Sequence, residues 1–287
     1  MTGTALNVVT YNIHKGFSAF NRRMVVHEIR ERLHALGPDV LFLQEVQGVH
    51  HRHSSSHQAW PAGSQHEFLA HAGGHSVYGM NAVYQDGHHG NAILSRYPIL
   101  HSENLDISHH AFESRGLLHC ELDVPGWGVP VHCINVHLGL WARSRRFQLA
   151  WLRDRIRESV PDGAPLVVAG DFNDWRGTAT ALLERDLGLV EVFRRSLGRH
   201  ARSFPARIPL LSLDRIYVRN LQVGGAQRPA GGAGSHEGAD DREDGGRDDD
   251  DLADGVLGGA HGGSLRVRAA RVRGWVSSAR GGMRVTR

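Results

Sequence analysis

Six polar residues stand at the ends of apolar runs: Asn12, Glu45, His137, Asp171, Asn173 and Asp214. The densest case is Val167-Val168-Ala169-Gly170-Asp171-Phe172-Asn173-Asp174, where a run ends in glycine and an acid, an amide and a second acid follow. Asp171 and Asn173, two apart on an extended backbone, point to one face. That pair is able to hold a metal ion and a water together. A plain strand running into an Asp/Asn turn gives the same local pattern, so this motif alone leaves both readings open. Glu45 adds a carboxylate at the end of a buried strand, which is costly unless it is paired or bound to a cation. Taken as a set, hard carboxylate and amide oxygens suit Mg²⁺ or Mn²⁺, ions that sit on one or two carboxylates plus water and substrate phosphate.

The elements that must position these residues are legible from periodicity. β-branched and apolar runs predict strands at residues 6–11, 40–43, 91–96, 115–124, 131–137, 167–171 and 213–218. Val26, Ile29, Leu33 and Leu36, closed by Gly37-Pro38, predict an amphipathic helix. A second helix is expected over 147–160, with Phe147, Trp151, Leu152, Ile156 and Val160 on its apolar side and arginines around the rest as a solvated face. A third is expected near 178–187, and a turn at Ser203-Phe204-Pro205-Ala206. Residues 50–66, rich in histidine and without periodicity, read as a long loop, of a length more often functional than decorative. Strands separated by helices predict mixed α/β layers.

The chain has 287 residues, 40% of them hydrophobic, enough for one large core or two modest ones. It shows neither an apolar run long enough to span a membrane nor a charged-then-apolar leader, and a soluble cytoplasmic monomer is expected. Cys120 and Cys133 are expected to stay reduced. A net charge of +3 excludes a protein that coats nucleic acid by electrostatics alone. The 21 histidines, grouped at His50, His51, His53 and His57, at His88-His89 and at His109-His110, are expected to be solvated loop residues, because structural zinc sites usually add cysteines at fixed spacing. At about residue 224 the composition breaks. The stretch 224–287 holds 16 of the 35 glycines and the run Asp248-Asp249-Asp250-Asp251. We expect residues 1–223 to form one domain and 224–287 a low-complexity, disordered tail. Gly, Arg, Ala and Asp are also what GC-rich codons yield out of frame, so a frameshift is a second reading of that tail.

The ordered set Tyr11-Asn12-Ile13-His14, Leu43-Gln44-Glu45, Gly90-Asn91-Ala92-Ile93-Leu94-Ser95, Asn135-Val136-His137-Leu138, Gly170-Asp171-Phe172-Asn173 and Leu213-Asp214-Arg215-Ile216 resembles the endonuclease/exonuclease/phosphatase (DNase I-like) superfamily, in its bacterial metal-dependent hydrolase branch. The resemblance implies a four-layer α/β sandwich of two packed mixed sheets with the site at one sheet edge. It implies Mg²⁺- or Mn²⁺-dependent hydrolysis of a phosphoester, with a phosphodiester in nucleic acid or a phospholipid headgroup as candidate substrates. Glu45 would ligate the cation with Asn12 beside it, and Asp171 would be the base for the attacking water. Asn173 would help hold that water or the phosphate, and His137 would donate to a phosphate oxygen. Asp214 occupies the position of the acid that orients the family's last histidine. The family's C-terminal Ser-Asp-His is absent, and Ser235-His236 is followed rather than preceded by an acid. The departure implies a missing site histidine and a missing last core strand, and with them a catalytically inactive phosphate-binding remnant as the alternative function.

Overall fold

The computed structural model describes residues 5–17, 23–50, 60–61, 63–201, 212–227 and 268–274. Twelve strands among them form two six-stranded mixed sheets. The first is ordered β11(Leu221–Gln227), β12(Arg268–Gly274), β1(Ala5–Asn12), β2(Val40–His50), β4(Gly87–Ser95), β3(His75–Tyr84). The second is ordered β5(Ile99–Asp106), β6(Gly116–Leu122), β7(Val131–His137), β8(Leu166–Asp171), β10(Asp214–Arg219), β9(Val190–Glu191).

Each sheet carries one parallel pair joined by a helix. β1 and β2 are parallel and connected through α1(Val26–Ala35). β7 and β8 are parallel and connected through α3(Ala142–Ser159). A parallel crossover directs the carboxyl ends of its two strands to the same sheet edge. This is why Asn12, His137 and Asp171 lie at strand ends on one rim, while Glu45 reaches it from a bulge within β2, which runs on to His50. β10 is antiparallel to β8, so it is the beginning of β10, at Asp214, that lies at that rim.

Three apolar layers hold the four-layer stack together. Between the sheets, Leu6, Val8, Val40, Phe42 and Ile93 meet Leu118, Leu122, Val131, Val167, Ile216 and Val218. Outside the second sheet, Leu149, Leu152 and Ile156 of α3 and Ala179, Leu183 and Leu187 of α4(Thr178–Leu187) cover Leu117, Ile134, Val136, Leu166 and Val168. Outside the first sheet, Val26, Ile29 and Leu33 of α1 and Leu69 of α2(Gln65–Leu69) cover Val9, Tyr11, Leu41, Leu43, Ala92 and Leu94. Fully burying one such side chain stabilises by about 1.5–3 kcal/mol.

The structure departs from the sequence reading in several places. β12 pairs antiparallel with β1, Val9 opposite Ala269, and with β11 on its other side. The last core strand is therefore present, at residues 268–274, where its Arg and Ala content hides it from an apolar-run search. β11 runs through residue 224. The acidic run, Ser235-His236 and the turn at residues 203–206 lie outside the described residues. Within the expected 50–66 loop, residues 65–69 form α2, held by a capping box between Ser64 and Glu67. His50 and His89 are buried rather than solvated, packed against Trp60 and Tyr84. α3 begins at Ala142, earlier than apolar spacing indicates, because its first turn buries Ser144 and Arg145 instead of apolar side chains. Phe147 and Trp151, expected on its buried side, are exposed. Cys120 and Cys133 are free and buried, directly opposite one another across β6 and β7.

Candidate active site

β2 delivers Glu45 through a bulge between Leu43 and Val46, with Glu45 in the left-handed region at φ 54°. The bulge gives consecutive residues different destinations. Gln44 turns into the interface between the sheets, where its Nε2 donates to Asn135 Oδ1 at 2.8 Å. Glu45 goes to the rim. A non-glycine residue in this conformation costs on the order of 1–3 kcal/mol and persists only where its surroundings hold it.

Two neighbours hold it here. Asn12 Nδ2 donates to Glu45 Oε1 at 2.7 Å, and His14 Nδ1 lies 3.2 Å from Oε2. His14 is itself fixed by its backbone N–H, which donates to Asn12 Oδ1 at 3.0 Å. Burial alone would raise the Glu45 pKa. The hydrogen bond and charge of His14, the charge of His137 and the Asn12 amide outweigh burial and hold the carboxyl well below the usual carboxylate range. Glu45 is thus an ionised carboxylate at a partly exposed sheet edge.

Asn12 also reaches the other sheet. Its Nδ2 lies 3.4 Å from Asp171 Oδ2, so one amide touches two carboxylates from two sheets. In the second sheet His137 is in register with Asp171, and Asp171 with Asp214, which sets three of the expected residues side by side on β7, β8 and β10. The turn after β8 orients Asp171: its Oδ1 accepts the Asn173 backbone N–H at 3.0 Å. Asn173 Nδ2 donates to the Leu138 carbonyl at 2.8 Å, tying this turn to the segment that follows His137. Gly170 makes the close approach of β7 and β8 possible, since its φ is 145° and a Cβ there would stand 1.9 Å from the Val136 carbonyl oxygen.

All six expected residues therefore lie at one rim, and contacts or strand register link them. Asp174, the second acid of the central motif, is structural. Its carboxylate accepts Thr178 Oγ1 at 2.8 Å and the Ala179 N–H at 2.6 Å, and so caps α4. Arg215 donates to the carbonyls of Ser212, Asp214 and Asp174. Asn135 and His14 enter the sequence pattern only as letters of its motifs. Asn135 is fully buried and stitches the sheets, its Nδ2 donating to the Leu43 and Ala92 carbonyls at 2.8 and 2.9 Å. Beside the rim, Arg145 stacks over exposed Trp175 at 4.8 Å and donates to the Gly139 and Leu140 carbonyls.

No group of three or more His, Cys, Asp or Glu side chains among the described residues is arranged as a metal site. A Mg²⁺-type ion does not need one, because it takes one or two carboxylates with water and phosphate. The ionised Glu45 and the Asn12 amide oxygen, with Asp171 on the same amide, match that donor chemistry.

The model of the Endonuclease/Exonuclease/phosphatase family matches residues 9–255. The chain is 50% identical over 220 residues to the protein YbhP of Escherichia coli (strain K12), covering 76% of this chain and 87% of that one. Among solved structures, an endonuclease/exonuclease/phosphatase from Beutenbergia cavernae superimposes with a TM-score of 0.66 at 18% identity, over 94% of this chain and 71% of that one. ANGEL2, a 2′,3′-cyclic phosphatase, superimposes with a TM-score of 0.63 at 16% identity, over 95% and 96%. The two-sheet sandwich is the DNase I-like fold of those structures, and the matched span takes in every rim residue from Asn12 to Asp214: this chain belongs to the endonuclease/exonuclease/phosphatase family, whose members hydrolyse phosphoesters.

Proposed function

We propose that the chain is a divalent-metal-dependent phosphodiesterase that directs water onto phosphorus at the Asn12–Glu45–Asp171 rim. The observation that carries this reading is the Asn12 amide, 2.7 Å from Glu45 and 3.4 Å from Asp171, which gathers carboxylates of both sheets at one point. Glu45 and Asn12 would hold Mg²⁺ or Mn²⁺, which when bound supplies positive charge to the phosphate and to the departing oxygen.

The protein's own groups divide the remaining work. Asp171, oriented by the Asn173 N–H, accepts the proton of the attacking water as its oxygen bonds to phosphorus. Asn173, fixed against Leu138, flanks that water or the phosphate. His137, in register with Asp171, donates to a non-bridging phosphate oxygen as charge builds there. The ester P–O bond breaks and the alkoxide leaves with a proton from solvent. Asp214 lies level with Asp171 on the next strand.

The absence of Ser-Asp-His favours one second reading, a phosphate-binding protein without turnover. Hydrolysis of a chromogenic phosphodiester with Mg²⁺ or Mn²⁺, against chelator, separates the two. Asp171→Asn and Glu45→Gln should each lower kcat/KM by about 10²–10⁴-fold. Full activity in either variant, or metal-independent turnover, overturns the assignment. Phosphate binding by a folded chain without turnover establishes the second reading.

A further inference from the structure

The half of α3 nearest the rim presents aromatic rings to solvent. Trp141 is 58% exposed, Phe147 40% and Trp151 45%, and Phe112 on the neighbouring loop is 83% exposed. Arg143, Phe147 and Trp151 fall at i, i+4 and i+8, one stripe along the helix, with exposed Arg146 beside it. The loop bearing Phe112 is fastened to the same helix. Buried Glu113 accepts Gln148 Nε2 at 3.0 Å, and the His109 ring packs 5.0 Å from Phe147.

This face is also fastened to the rim. Gln148 Oε1 accepts the Gly139 N–H at 2.8 Å, two residues beyond His137, and a Cβ on Gly139 would strike Glu113 at 1.9 Å. Loop, helix and the segment after His137 therefore form one packed unit.

We propose that this aromatic and arginine face docks the protein on an anionic phospholipid surface, so that the phosphodiester reaching the rim is that of a lipid headgroup. The second clause rests on the hydrolase reading above; the docking itself does not. Charge selects an anionic occupant, because the exposed side chains of residues 141–151 include Arg143 and Arg146 and no acid. A symmetric second copy would set those arginines against their own equivalents. Ring geometry selects lipid over single-stranded nucleic acid. Phe147 and Trp151 meet at 62° and His109 and Phe147 at 54°, so the rings interlock instead of offering parallel faces on which successive bases could stack. Trp and Phe beside Arg is the composition that settles at a headgroup boundary.

The test is co-sedimentation of the full chain with phosphatidylglycerol/phosphatidylcholine vesicles and with phosphatidylcholine vesicles, read together with tryptophan emission. Binding to the anionic vesicles with a blue shift is expected. F112S and F147S should each weaken it by about tenfold, since burying one phenylalanine is worth about a decade in an equilibrium constant. R143E/R146E should weaken it by about tenfold or more and abolish the preference for anionic lipid. F112S and R143E/R146E alter exposed side chains, and an unchanged melting temperature verifies their fold. No binding by the folded chain, or binding that these variants leave unchanged, overturns the docking. So does an oligonucleotide affinity, or a dimer in sedimentation, that exceeds vesicle binding and is lost in the same variants. Vesicle binding without turnover of any substrate upholds the docking and overturns the hydrolase reading alone.

Discussion

His119 and His132 show how a buried polar residue takes on a fixed role without lying at the rim. Arg155 Nε donates to His119 Nδ1 at 3.2 Å, which leaves His119 Nε2 to donate to His132 Nδ1 at 3.1 Å. Burial, then the charge of Arg155, pushes the His119 pKa down to about 3, and burial also lowers that of His132. The unfolded chain takes up these protons near pH 6.5 and the folded chain does not, so stability must fall as pH drops from about 6.5 toward 3. Urea midpoints across that range should show a loss on the order of a few kcal/mol, and His119→Gln, which keeps both hydrogen-bonding roles, should flatten it. Gly170 is the opposite case, a residue defined by what it lacks. Gly170→Ala combines a φ of 145° with a Cβ 1.9 Å from a carbonyl oxygen. A loss of about 3 kcal/mol or more is expected, read as a large drop in Tm or insoluble expression.

At the scale of elements, the rim exists only while the two sheets keep their mutual register. Buried polar contacts fix it: Asn135 bonds Gln44 and satisfies the Leu43 and Ala92 carbonyls of the opposite sheet, and Asn91 Nδ2 donates to the Gly116 carbonyl at 2.9 Å. Asn135→Ala leaves two buried carbonyls and one amide without these partners, at about 2–4 kcal/mol. Because Glu45 follows Gln44, that variant should also lose turnover by more than its folded fraction explains, which activity per folded molecule measures. The parallel pairs supply the rest of the alignment. β1 and β2 run together in one sheet and β7 and β8 in the other, so Asn12, His137 and Asp171 come from carboxyl ends and Glu45 from the bulge within β2.

For the whole molecule, the open question of sequence was where the domain stops. β12 covers the edge of β1 over Ala5 to Thr10, pairing those residues with 268–273. A chain cut after residue 227 uncovers that edge, and should melt lower and aggregate faster than the full chain. An unchanged melting curve would mean that β12 contributes nothing to the sheet. We propose that the low-complexity composition of residues 224–287 arises from a change of reading frame. Reading the gene in the other frames after about residue 223 tests this: a Ser-Asp-His followed by an apolar strand supports it, and its absence in every frame overturns it.

The strand ends were legible because each rests on a local signal. An apolar run closed by a polar residue places Asn12, His137 and Asp171 at a strand end whatever the strand order, and the order of all the motifs along the chain already carries the family's pattern, whereas β2 runs on past Glu45 and β10 begins at Asp214. Helix α1 was equally plain, since its buried Val26, Ile29 and Leu33 repeat at helical spacing. What tertiary structure alone decided depends on partners distant in sequence. Asn135 is 91 residues from Gln44 and Asn12 is 159 from Asp171, so no window of periodicity contains either pair. Strand β12 is marked by its neighbours rather than its composition. Phe147 and Trp151 share one helical stripe, and only packing of Leu149, Leu152 and Ile156 against the second sheet turned those rings outward. Local periodicity fixes which residues share a face; the sheet they meet determines whether that face is buried.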